Sequence, residues 1–217
     1  MAQFRIQFRL HGYAKDYAKE LIYDVAKRFR VKGVTKGAVV PHTTLYGRSE
    51  TNNIEEVVSK VEKIGQEYTV VPFEIVGFGY FDSERGKVIY LDIDPSPELE
   101  ALRWDLAKGL RKISPPQPWD TKRQFQFHVT IAREDVDQKF NAIWEYITKR
   151  ERPNINQQLL RITVLKILDE KRSRILYEYD LVLKKLLNRT QALSRYWWRK
   201  TINKKRELHG ELLCQPK

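Results

Sequence analysis

Cysteine is almost absent from this chain: the only one among 217 residues is Cys214, close to the C-terminal end. One thiol excludes an internal disulfide framework and a cysteine-based zinc site, and points to a reducing, cytoplasmic setting. Long apolar runs are missing as well. No stretch approaches the ~20 residues that span a bilayer, so no membrane association is expected. The opening Met1-Ala-Gln-Phe-Arg-Ile-Gln-Phe-Arg-Leu10 carries arginines inside its apolar run, which excludes a signal peptide. Histidine is scarce, with four residues, and none stands in a His-Glu-x-x-His or Cys/His spacing; neither a metal nor a cofactor is expected. Acids are outnumbered, 28 Asp+Glu against 40 Lys+Arg, for a net charge of +12. Such a balance favours a polyanionic partner, RNA or DNA first.

What is present describes a folded protein. The hydrophobic fraction of 41% and the aromatic fraction of 12% are ordinary for globular chains. The charge is unevenly spread: residues 184–217 hold ten Lys+Arg against two acids, so +8 of the +12 lies there. Periodicity orders the remainder. Residues 4–10 alternate apolar and polar, as a half-buried strand does. Residues 13–30 place Tyr17, Leu21, Ile22, Val25 and Ala26 at helical spacing. A strand over 39–46 ending at Gly47, a helix over 54–68 capped by Asn53, and a strand over 70–81 follow. The order then restarts: strand 87–94, helix 98–112 with Ser96 as cap and Pro97 at its first position, an irregular Ser114-Pro-Pro-Gln-Pro118, strand 124–132 and helix 136–149. Strands over 159–168 and 174–183 close the series as a hairpin around 169–173, and 184–210 reads as one or two basic helices.

Both halves thus run strand, helix, strand, helix, strand, and each carries a histidine in its third element. His42 lies 38 residues after Phe4, and His128 lies 40 after Val88. The motifs are His42-Thr43-Thr44-Leu45 and His128-Val129-Thr130-Ile131. In a strand, residues i and i+2 share a face, so His42 points with Thr44 and His128 with Thr130. A single His-x-Thr is usually a half-exposed histidine beside a β-former. Two at matching slots predict a duplication whose imidazoles converge on one groove. Two imidazoles suit general acid and base work on opposite sides of a phosphodiester, with hydroxyls on the non-bridging oxygens. Phe125, Phe127, Tyr46, Tyr80 and Trp119 lie near these strands and are candidates to stack on a base.

On these two motifs, with Pro41-His-Thr-Thr-Leu-Tyr-Gly47 and Phe127-His-Val-Thr-Ile-Ala-Arg133, the chain resembles the 2H phosphoesterase superfamily over roughly residues 2–183. Within it the chain is similar to the branch of 2'-5' RNA ligases and RNA 2',3'-cyclic phosphodiesterases, archaeal members included. The resemblance implies an α+β fold of two pseudo-twofold lobes, about 1–82 and 83–183, each an antiparallel sheet with outer helices, and an active groove between them. Residues 184–217 would be a basic helical extension. It also implies metal-independent opening of an RNA 2',3'-cyclic phosphate to a 2'-phosphate, and reversible 2'-5' ligation of RNA ends such as tRNA fragments. His42 and His128 would be catalytic, with Thr44, Thr130 and Arg133 on the phosphate. Family analogy gives His42 the proton to the leaving oxygen and His128 the water, although the symmetry leaves these roles interchangeable from sequence. A monomer is expected. Two other readings stay open, a non-catalytic binder of RNA terminal phosphates and a phosphoesterase of small cyclic nucleotides. The tail, with Tyr196-Trp197-Trp198 among basic residues, reads either as an RNA contact or as a helix docking its tryptophans.

Overall fold

The computed structural model describes residues 1–84, 86–169 and 172–213, the last five of these in backbone only. Cys214, the centre of the turn expected at 169–173 and the side chain of His209 lie outside the described residues.

The chain is α+β, with two antiparallel sheets flanked by helices. In chain order the elements are β1 (Ala2–Arg9), α1 (Gly12–Phe29), β2 (His42–Thr51), α2 (Ile54–Gln66), β3 (Val71–Ser83), β4 (Gly86–Pro95), α3 (Pro97–Leu110) and β5 (His128–Ala132). They continue as α4 (Phe140–Thr148), β6 (Ile155–Leu159), β7 (Arg161–Ile167), β8 (Ser173–Asp180), β9 (Lys185–Asn188), α5 (Arg189–Leu193) and α6 (Arg195–Leu213). The first sheet has the order β2-β1-β7-β8-β9 and the second β5-β4-β3-β6. Among the described residues no helix is long and apolar enough to cross a membrane.

Sheet membership does not follow the expected division at residue 82. β3 belongs to the second sheet, and β7, β8 and β9 return to the first. The strand expected over 159–168 is β7, and a further strand not expected, β6, precedes it. At buried Leu160 the chain leaves the edge of the second sheet and enters the middle of the first. The helices cross over too: α1 follows a strand of the first sheet yet packs on β5 of the second. α3 follows β4 yet touches β2 and α2. Further, β9 is a strand of the first sheet, so the extension expected from residue 184 begins inside that sheet.

Local chemistry explains most boundaries. Asn53 accepts from the Glu56 amide (3.2 Å) and Ser96 from the Leu99 amide (3.2 Å), which satisfies donors left open at the starts of α2 and α3. α2 turns Val57, Val58 and Val61 inward, and each fully buried side chain of this size stabilises the fold by about 1.5–3 kcal/mol. β2 runs past Gly47 to Thr51 because a glycine there lets the proline-rich segment pack against the strand. A Cβ on Gly47 would meet Gln117, Asp120 and Trp119, and the Gly47 amide donates to Asp120 Oδ2 (3.0 Å). Residues 124–127 are not a strand. They belong to a loop organised around fully buried Arg103, which donates to Asp120, Trp119 O and Lys122 O and stacks on Phe125 at 4.3 Å. The helix expected from 136 starts at Phe140, after a 3-10 turn at Asp137–Lys139.

Alternation on β1 separates two faces. Phe4, Ile6 and Phe8 are buried in the apolar core, while Gln3, Arg5, Gln7 and Arg9 point to the opposite side. That polar face continues through Thr44 and His42 on β2, Thr163 and Arg161 on β7, and Glu178 and Asp180 on β8.

Candidate active site

His42 opens β2 and His128 opens β5. The burial of the two strand starts is the same: histidine and threonine half-buried, with Thr43 and Leu45, or Val129 and Ile131, fully buried between them. Each histidine therefore shares a face with its threonine, as the spacing predicts.

The rings are held alike. His42 Nδ1 lies 2.7 Å from the carbonyl oxygen of Val40, and His128 Nδ1 lies 2.9 Å from that of Gln126, in both cases two residues earlier. A carbonyl only accepts, so both Nδ1 atoms carry the hydrogen. In the neutral ring Nε2 then holds the lone pair, and it is the atom that gains or loses a proton.

β2 and β5 touch across the two sheets, and the charge of His128 acts on the His42 ring. Burial first, then the Arg5 guanidinium, push the His42 imidazole down to about 3. The bond to Val40 opposes this, while the charges of His128 and Arg133 add to it. His128 is also lowered by burial, but its bond to Gln126 and the Asp92 carboxylate pull it back up. Asp92 sits opposite His128 on β4 and accepts from Gln126 Nε2 (2.8 Å). The two imidazoles are thus built alike and charged differently, one beside a cation and one beside an anion.

Arg5 was not singled out by the sequence. Burial and then the charges of Arg133 and Arg48 lower its guanidinium to about 10, and its Nε is buried without a hydrogen-bond partner. A buried donor left unpaired costs about 1–3 kcal/mol, so an anion placed there would be rewarded. Gln7, 3% exposed between Thr44 and Thr163, likewise keeps an unpartnered Oε1. The alternation of β1 was visible in the sequence. Only the register, Gln7 opposite Thr44 and Arg9 opposite His42, shows that its polar side adjoins the first motif.

Arg133 follows β5 with its side chain 53% exposed and 3.7 Å from Glu134 Oε1; its charge acts on both His42 and Arg5. The aromatics beside the motifs are not those expected. Phe81 and Tyr90 flank the His128 ring at 5.1 and 5.2 Å, Tyr90 lying over Gly79. Tyr46 and Phe127 are core residues, Phe125 stacks on Arg103, Tyr80 packs on Phe140 and Trp144 of α4, and exposed Trp119 lies beside Gly47. Among the described residues no three His, Cys, Asp or Glu side chains group as metal ligands would.

Comparison with known proteins adds to this geometry. The family model described as the 2'-5' RNA ligase superfamily matches residues 19–171, a span that includes both motifs. No curated protein sequence matches the chain significantly. Solved structures of like fold include TT0787 of Thermus thermophilus, with a TM-score of 0.58, 16% identity, and 82% of this chain and 97% of that one covered. E. coli LigT in its apo form gives a TM-score of 0.53, 15% identity and coverage of 82% and 96%. E. coli LigT complexed with 3'-AMP gives 0.52, 16%, and 83% and 98%.

Proposed function

The chain belongs to the 2'-5' RNA ligase superfamily, within the 2H phosphoesterases, and on that premise we propose that it opens RNA 2',3'-cyclic phosphate ends to 2'-phosphates without a metal. The phosphate sits in a groove between two pseudo-twofold lobes, each built on one sheet. The observation that carries this reading is the matched pair of Nδ1–H to carbonyl bonds, on two strands that touch, which leave two Nε2 atoms for proton transfer.

In the reaction, a neutral imidazole takes a proton from water as its oxygen bonds to phosphorus. The P–O3' bond breaks, and the protonated imidazole gives its proton to O3', leaving a 2'-phosphate and a free 3'-hydroxyl. Arg5, with its orphaned Nε, neutralises the non-bridging oxygens, and Thr44 and Thr130 donate hydroxyls to them. Arg133 supplies further positive charge. The flanking groups separate the proton affinities of the rings: in the free protein His128, beside Asp92, protonates before His42, beside Arg5. If His42 is the donor, as the family pattern has it, bound phosphate must invert that order by offsetting Arg5. That E. coli LigT is complexed with 3'-AMP, and in another structure with phosphate, supports a nucleotide phosphate as occupant.

The test is hydrolysis of a short RNA ending in a 2',3'-cyclic phosphate, followed by 31P NMR with and without EDTA. Chelator-insensitive formation of the 2'-phosphate is expected. Loss of activity in EDTA with recovery on adding a divalent ion would replace this mechanism, and tight RNA binding without turnover would favour a non-catalytic binder.

A further inference from the structure

α5 and α6 do not hang from the fold. Thr201 of α6 is fully buried, accepts from Arg161 (2.6 Å) and donates to Asp180, and Ala192 O also accepts from Arg161. Trp198 lies over the Arg161 guanidinium, 4.7 Å from ring centroid to Cζ, with His11 against it at 5.4 Å. The extension therefore roofs part of the polar face of the first sheet, and a cavity of about 460 Å3 remains beneath it.

We propose that this cavity is a subsite for the penultimate nucleotide of an RNA strand, the one before the nucleotide that carries the terminal phosphate. The inference rests on the function proposed above and adds the substrate class: an oligoribonucleotide, not a free nucleotide. Its position comes first. Among its walls are Arg9, paired across the strands with His42, and Val40, whose carbonyl holds the His42 ring. A strand whose last phosphate lies at His42 can place its penultimate nucleotide beside this opening. Size agrees, since pockets for small organic ligands run from about 300 to 1,000 Å3.

The lining has the chemistry of single-stranded RNA sites, an aromatic plane with cations around it. The deeper cations are satisfied: Arg9 pairs with Glu178 at 2.6 Å, and Arg161 with Asp180 at 2.9 Å. At the rim, exposed Arg195 and Arg199 form no ion pair among the described residues, and Lys15 of α1, 3.3 Å from Asp16, also lines the cavity. The wall that supplies Trp198, Arg195 and Arg199 lies beyond residue 171, where the family match ends. It stands where the excess positive charge is concentrated.

The experiment compares kcat/KM on uridine 2',3'-cyclic phosphate and on a trinucleotide ending in the same group. The unaltered protein, Arg195→Gln/Arg199→Gln and, from a different element, Lys15→Gln are measured. Anisotropy of a labelled RNA ending in a 3'-phosphate, across a salt series, supplies a readout that needs no turnover. We expect the unaltered protein to prefer the trinucleotide by about tenfold or more. The double variant should lose that preference while keeping its rate on the mononucleotide. Its binding slope against log salt should fall by about 1.4, and that of Lys15→Gln by about 0.7. A variant that slows both substrates equally, or keeps the preference, overturns the subsite. Equal use of both substrates by the unaltered protein overturns the subsite and leaves the phosphoesterase standing. Salt-dependent RNA binding through these arginines with no hydrolysis does the reverse.

Discussion

His42 and His128, 86 residues apart, are oriented by the same bond, Nδ1–H to the carbonyl two residues upstream, at 2.7 and 2.9 Å. Repetition of this detail in two sheets is what a shared task requires, because each bond fixes the tautomer and presents Nε2. His42→Asn and His128→Asn should each lower kcat by roughly 10²–10⁴, with the double variant little worse than either single, since the rings act as a unit. Circular dichroism and melting temperature check that the fold persists. Additive losses would show that the two rings serve different steps.

The free protein should be most productive on the acid side of the ordinary imidazole range. Burial and Arg5 lower His42 to about 3, and burial lowers His128, so the singly protonated pair exists below the usual value of 6.5. kcat/KM, which reports the free protein, should trace a bell whose alkaline limb lies below 6.5. kcat should trace a bell displaced to higher pH, because bound phosphate raises both rings. The same depression has a stability consequence. Between about 3 and 6.5 the unfolded chain binds protons that folded His42 refuses, so stability falls as pH drops through that window. His42→Asn should therefore be less acid-labile than the unaltered protein in thermal melts.

Arg5 distinguishes an anion site from a merely crowded one. Arg5→Met removes a partly buried cation whose Nε has no partner, so stability should hold or rise while KM increases and kcat falls. The expected loss in kcat/KM is about tenfold to a hundredfold, the worth of one charge-assisted hydrogen bond. Arg5→Lys should recover part of it. A variant that only destabilises would make Arg5 a structural residue.

Asp180 holds the C-terminal helix to the sheet. It is fully buried, accepts from Arg161 at 2.9 Å and from the amides of Val182 and Leu183, and binds Thr201. Asp180→Ala would leave Arg161 buried beside only one carboxylate, which should cost about 3–5 kcal/mol in chemical denaturation. Thr201→Val should cost less, about 1–3 kcal/mol. The loss at Thr201 is not expected if α6 packs loosely.

The motifs and the alternation of residues 4–10 were legible because burial on one face writes a period of two into the sequence. Caps at Asn53 and Ser96 were legible for a comparable local reason. The exchange of strands between sheets was not: residues 155–158 do not read as a strand, and nothing in the composition marks Leu160 as the crossing. Nor could residues 124–127, with their strand-like alternation, disclose that Arg103 draws Phe125 into a loop. Arg5, Asp92, Phe81 and Tyr90 escaped notice because their nearness to the motifs depends on strand register. Docking of the tail was one of two open readings, and the long-range network that seats α6, Arg161, Asp180 and Thr201, has no local pattern to announce it.

The most direct test is imidazole NMR. Long-range 1H–15N spectra recorded while inorganic phosphate is added report each Nε2 separately. Both His42 and His128 should shift along one shared saturation curve, with the affinity of each for a proton rising as phosphate binds. A shift confined to one ring, or two curves with different midpoints, would contradict the claim that both serve a single phosphate.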